Sequence, residues 1–240
     1  MPKSALVVVD VQNDFISGTL ALKDCPAKED GLEVVDVINE LTKLEGWDLV
    51  VFTLDWHPQD HISFATNAHK FKQHCDSKVH LECAEVYDKV VFNVEDDQKR
   101  EQVLWPPHCV QGSWGAELHK DVYVPAGSVT VKKGVNTSLD SYSAFFDNDK
   151  INETELCQVL QSHGIDRTFI CGLATDICVN FTATHSNELG FKTYVIEDAC
   201  RGVDNHNIQC ALCKMDESGI TRIKSDKISS LLTTKEPPMQ

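Results

Sequence analysis

The sequence predicts a single doubly wound α/β domain, a mostly parallel sheet flanked by helices, and three observations lead to that prediction. Short apolar runs alternate with longer stretches of helical period, the pattern of repeated βαβ units. No internal repeat, low-complexity tract or Pro/Gly-rich linker divides the 240 residues. A chain of this length can bury roughly 70% or more of its unfolded surface in one core, so it needs no staples.

Ala5 to Val9 is a short, fully apolar strand. Leu32, Val35, Ile38, Leu41 and Leu44 recur at threes, which suits an amphipathic helix leading into a second strand at Leu49 to Leu54. Residues 65–100 are rich in His, Cys, Lys and Asp and read as an excursion from the alternating pattern. Strands resume at Val129 to Val131, Thr168 to Cys171 and Thr193 to Ile196. Helices are expected at Glu153 to Ser162, Asp176 to Leu189 and Asn205 to Asp216. A last short strand at Ile220 to Ile223 completes a domain of residues 1–224, and residues 225–240 read as a polar tail ending near Pro237 and Pro238.

With 22 Lys+Arg against 37 Asp+Glu, the formal charge of -15 repels phosphate backbones and anionic lipid, which argues against nucleic acid and membrane partners. The apolar run Leu6 to Val9 meets Asp10 too soon for a signal peptide, and no run approaches the ~18 to 20 residues that span a bilayer. Ten cysteines without such a signal point to a reducing compartment: the cytoplasm, with the nucleus as the alternative.

In a doubly wound sheet, ligands sit beyond the carboxyl ends of the strands, so the residues just after each strand are the ones to inspect. Asp10 follows the first strand. Asp55-Trp56-His57-Pro58 follows the second, and in extended chain Asp55 and His57 can face one metal. His61, brought round by a turn at Pro58, or His108 in Trp105-Pro106-Pro107-His108-Cys109 could supply a second imidazole to a two-His, one-carboxylate set. Lys132, Lys133 and Gly134 follow the third strand. After Thr168 to Cys171 comes Gly172-Leu173-Ala174-Thr175-Asp176-Ile177-Cys178, which places a thiol near a helix start. There the dipole and free amides favour a thiolate and can also hold an oxyanion. Acid, lysine and cysteine at three strand ends suit a cysteine nucleophile with a base and a cationic neighbour.

These motifs together resemble the isochorismatase-like cysteine hydrolases, and within them the pyrazinamidase/nicotinamidase branch. The resemblance runs from Val7 to about Ala199 and includes Val9-Asp10-Val11-Gln12-Asn13-Asp14-Phe15, His61-Ile62-Ser63-Phe64 and Tyr142-Ser143-Ala144-Phe145. It implies a catalytic triad of Asp10, Lys133 and Cys178. The implied metal ligands are Asp55, His57 and His108, with His61 in or just outside the set. It further implies an oxyanion hole from the amides of Ala174 and Cys178, a cis peptide between Leu173 and Ala174, and substrate contacts from Phe15, Trp105 and Tyr142. The implied cofactor is one divalent ion, zinc before iron or manganese. The implied reaction takes nicotinamide to nicotinate and ammonia through a thioester, as in NAD salvage, with pyrazinamide as a further substrate. Members often form oligomers, so a homo-oligomer is within expectation.

Two other readings compete. The triad alone suits an amidase acting on a carbamoyl or ureido compound. A metal-binding or thiol-rich module would draw on His74, Cys75, His80 and Cys83, and on His206, Cys210 and Cys213, although their spacings are irregular.

Overall fold

The computed structural model describes residues 2–94 and 99–233. Strand β1 (Ser4–Val9) is buried along its whole length, as expected where β-branched residues fill the centre of a sheet covered on both faces. A short helix α1 (Asn13–Ile16) leads on to α2 (Glu33–Thr42), which buries Val34, Val35, Ile38 and Leu41 and turns its acidic side outward. Strand β2 (Leu49–Asp55) follows, equally buried. The excursion holds a two-stranded antiparallel sheet, β3 (Lys89–Asn93) and β4 (Lys99–Val103), over a small core of its own that includes Ile62, Leu81, Val90, Phe92 and Leu104.

Strand β5 (Val129–Lys133) returns to the main sheet, and helix α3 (Leu156–Ser162) leads to β6 (Arg167–Leu173). The segment expected as one helix from Asp176 to Leu189 is divided. Thr175–Val179 forms a π-helical turn, closed by the Val179 amide donating to the Ala174 carbonyl, and only then does α4 (Asn180–Glu188) begin. Strand β7 (Lys192–Arg201) is longer than its apolar centre because its pairing with β6 resumes at Cys200 and Arg201 after a register shift. Helix α5 (Asn205–Glu217) is capped by Asp204, whose side chain accepts from the Asn207 amide at 3.0 Å, and strand β8 (Thr221–Ile223) follows.

The main sheet has the order β5-β2-β1-β6-β7-β8, with every pairing parallel. Strand order reverses between β1 and β6. Alternate residues face opposite layers: Ala5, Val51 and Val131 pack with Leu156 and Leu160 of α3, while Leu6, Val8 and Phe52 belong to the cluster that receives α2. Residues 225–233, read from sequence as the start of a polar tail, carry helix α6 (Ile228–Thr233), and its Ile228 and Leu232 are buried in that larger cluster. Two apolar residues four apart suffice to dock a helical turn that composition alone calls polar. Pro237 and Pro238 lie outside the described residues. Among the described residues, no helix is long and apolar enough to cross a membrane.

Candidate active site

The point where strand order reverses is where an open α/β sheet leaves a crevice, and the chemistry-bearing residues converge there. Val9 pairs with Thr53 on one side and Gly172 on the other. Gly172 has φ 115°, and a Cβ there would stand 2.0 Å from the Val9 carbonyl oxygen, so only glycine lets β6 approach this closely. Asp10, the next residue, is fully buried and accepts a hydrogen bond from Thr53 Oγ1 at 2.6 Å.

Lys133 ends β5 in register with Asp55 at the end of β2. Its buried Nζ donates to the Asp55 carboxylate and, at 3.0 Å, to the Ser141 carbonyl; it also stands 3.0 Å from Asp10 Oδ2 and 3.4 Å from Cys178 Sγ. Lys132 faces the other way, with its ammonium 3.7 Å from the centroid of the Trp56 ring. Strand alternation therefore separates the two lysines that local sequence could not.

The electrostatics follow from burial around one cation. Burial pulls the Lys133 ammonium toward neutrality, but Asp10 and Asp55 outweigh it and hold the pKa well above the ordinary lysine range. Asp55 is pushed up by burial, yet Lys133 and His57 leave it well below the usual carboxylate range. Asp10 stays raised, because burial and the Asp55 charge exceed what Lys133 returns. Burial likewise drives the Cys178 thiol well up, with Lys133 opposing and the two carboxylates adding to the rise. The expected thiolate-favouring helix start is thereby corrected. Cys178 sits buried in the π-helical turn beside the Asp10 carboxylate, and burial there raises its thiol instead of depressing it.

Beside this cluster, Asp55 Oδ2 lies 3.5 Å from His57 Nε2 and 3.8 Å from His108 Nε2, and the three donor atoms fall within 4.8 Å of one another. His57 Nδ1 bonds the Gly134 carbonyl at 2.9 Å, and His108 Nδ1 bonds the Pro106 carbonyl at 2.8 Å. Carbonyls only accept, so each Nδ1 carries a proton and each ring turns its Nε2 toward the Asp55 carboxylate, where binding of a cation would require that nitrogen to be deprotonated. Such a donor set fits a divalent cation, and its two imidazoles and one carboxylate suit zinc. His61 stacks on His57 with ring centroids 4.1 Å apart. Its buried Nε2 has no hydrogen-bond partner and faces Asp140 Oδ1 at 4.0 Å, and with His57 and Asp140 it forms a neighbouring group of donors.

A pocket opens onto both clusters, lined by Asp55, His57, His108, Ala174 and Cys178 together with Phe15, Trp105 and Tyr142. The Phe15 ring packs 5.5 Å from that of His108. The Leu173–Ala174 peptide is cis.

Several residues of the site were missed in the sequence. Gln12 accepts from the Asp55 amide at 2.9 Å and donates to the Asp55 carbonyl at 2.8 Å, holding that residue's backbone from both sides. Thr53 carried a usable signal, as the one uncharged polar residue in an otherwise apolar buried strand. Asp140, buried on the pocket wall, and Ser141 lay just before the Tyr142 motif and carried none that periodicity could show. Of the alternative cysteine and histidine groups, His74 and Cys75 form a set of three with Asp76, and Cys210 Sγ lies 3.6 Å from His206 Nε2; among the described residues His80, Cys83, His206, Cys210 and Cys213 join no set of three.

Comparison with known proteins adds four likenesses. A family profile described as Isochorismatase domain matches residues 4–226. The curated nicotinamidase of Acinetobacter baylyi is 40% identical over 226 residues, covering 93% of this chain and 94% of that protein. The crystal structure of an L. infantum protein, PnC1, in complex with nicotinate superposes with TM-score 0.74 at 30% identity, covering 94% of each chain. The pyrazinamidase of Pyrococcus horikoshii in complex with zinc superposes at 0.69 with 30% identity, covering 93% of this chain and 99% of that one.

Proposed function

The chain belongs to the isochorismatase family, and from that premise we propose that it is a metal-dependent cysteine amidohydrolase converting nicotinamide to nicotinate and ammonia. The observation that carries the reading is the contact of Asp10 and Lys133 with each other and of Lys133 with Cys178, which lines a pocket whose wall also presents Asp55, His57 and His108. That second feature favours a flat N-heterocycle over a carbamoyl or ureido compound, and pyrazinamide fits the same requirement. Asp55, His57 and His108 would hold a zinc ion, which would supply a Lewis-acidic position for a ring nitrogen.

The protein's own residues account for the bond changes. Phe15, Trp105 and Tyr142 enclose the ring and orient the carboxamide toward Cys178. Asp10 takes the thiol proton as Sγ attacks the amide carbon. The carbonyl oxygen becomes an oxyanion held by the amides of Ala174 and Cys178, a contribution commonly worth ~3 kcal/mol per donor. Asp10 returns the proton to the nitrogen as the C–N bond breaks and ammonia leaves. Asp10 then deprotonates water, which attacks the thioester; Cys178 departs and is reprotonated, and nicotinate is released. Lys133 stays charged throughout and offsets the negative charge as it moves between Asp10 and sulfur.

The ten cysteines are all free, which supports a reducing compartment, the cytoplasm, as the place of action. The test is ammonia release from nicotinamide by the purified protein, beside Cys178→Ala and a chelator-stripped sample. Release that vanishes in both controls is expected; a folded, metal-loaded protein that releases none overturns the reading.

A further inference from the structure

The β3–β4 hairpin stands apart from the main sheet, and its function is not legible in sequence. Residues 100 and 102 are two apart on β4 and share a face, and both grip the same distant segment. The Arg100 guanidinium donates through Nε to Asp149 Oδ2 at 2.7 Å, approaches it through Nη2 at 2.6 Å, and donates through Nη1 to the Ser138 carbonyl. Gln102 is buried, and its Nε2 donates to Asp140 Oδ2 at 2.9 Å and the Val103 carbonyl at 2.8 Å, and reaches the Tyr142 hydroxyl at 3.4 Å. Carboxylate and carbonyl only accept, so the side-chain amide has one workable orientation.

The gripped segment carries three parts of the site. Asp140 and Tyr142 line the pocket, and between them the Ser141 carbonyl accepts from Lys133 Nζ at 3.0 Å. Trp105, two residues beyond β4, forms another part of the wall. One strand of the excursion thus touches the loop after β5 at Ser138, Asp140, Tyr142 and Asp149.

We infer that the β3–β4 hairpin is a splint for the substrate pocket, with Arg100 and Gln102 as positioning residues acting through residues 138–149. Neither touches the reacting atoms. Without the Gln102 donor, the buried Asp140 carboxylate on the pocket wall loses the bond to Oδ2 and keeps the Ser141 amide on Oδ1, a residue of its own segment. The kinetic part of this inference rests on the nicotinamide reading above; the structural part does not.

The experiment compares wild type with Gln102→Met, which keeps length and removes the donor, Gln102→Glu, which sets a second carboxylate against Asp140, and Arg100→Met. Hydrogen–deuterium exchange over residues 138–149 should quicken by about tenfold in each. The KM for nicotinamide should rise about tenfold, further in Gln102→Glu, with kcat within about threefold and metal content unchanged. Exchange equal to wild type overturns the splint whatever the kinetics. Faster exchange with an unchanged KM overturns the positioning role and leaves a merely structural contact. A wild type that cannot hydrolyse nicotinamide defeats the reading of the reaction, and the exchange measurement still decides the splint.

Discussion

Lys133 Nζ stands 3.4 Å from Cys178 Sγ and shares the rest of its hydrogen-bonding capacity with two carboxylates and a carbonyl. The two carboxylates are the partners that balance the ammonium, so removal of the thiol leaves the charges paired. Cys178→Ala should lower ammonia release by at least about 10³-fold while changing stability by no more than about 1 kcal/mol. Substantial residual turnover would remove Cys178 as the nucleophile.

Lys133→Met should behave in the opposite way. Without the ammonium, Asp10 and Asp55 face each other unpaired in the core, and breaking such a buried ion pair costs about 3 to 5 kcal/mol. Denaturant unfolding should show that loss together with lost activity. Wild-type stability in this variant is incompatible with Lys133 as the charge hub.

His57→Ala should reduce bound metal per chain and raise the nicotinamide KM, as read by elemental analysis and steady-state kinetics. Full metal content with an unchanged KM excludes it as a ligand.

Gly134→Ala should reach the same outcome without touching a ligand. Gly134 has φ 64°, and a Cβ there would stand 2.3 Å from His57 Cε1, so the ring must leave its place beside Gly134. Gly127→Ala supplies the control, since it also has positive φ but meets nothing within 4 Å. If metal content falls equally in both, backbone strain rather than displacement of His57 is the cause.

The pH dependence of stability should carry the mark of His61. Burial, with His57 adding, lowers its pKa from 6.5 to about 3, so the unfolded chain binds a proton that the folded chain refuses. This contribution is complete above the unfolded value and is lost as pH falls from 6.5 toward 3, at up to about 1.4 kcal/mol per pH unit. In chelator-treated protein, His61→Gln should flatten the slope of unfolding free energy across that window; an unaltered slope defeats the assignment.

Much of the architecture was legible along the chain because it is written in local periods. Apolar runs such as Leu6 to Val9 and Leu49 to Leu54 can only be satisfied by burial on both faces, and the helical repeat from Val35 to Leu41 needs one apolar layer. The strand-end motifs that nominated Asp10, Asp55, His57, Lys133 and Cys178 were legible for the same reason, since an open α/β sheet gathers its strand ends. The docking of Ile228 and Leu232 was not, because two residues make no period.

By itself, then, the sequence determined the doubly wound domain, its strand ends and the chemical types gathered there. Only the tertiary structure decided which lysine turns inward, that burial outweighs the helix start at Cys178, and that Gln102 reaches Asp140 across 38 residues. Those outcomes depend on register, enclosure and the summed field of groups far apart in the chain, and no local window of sequence contains them.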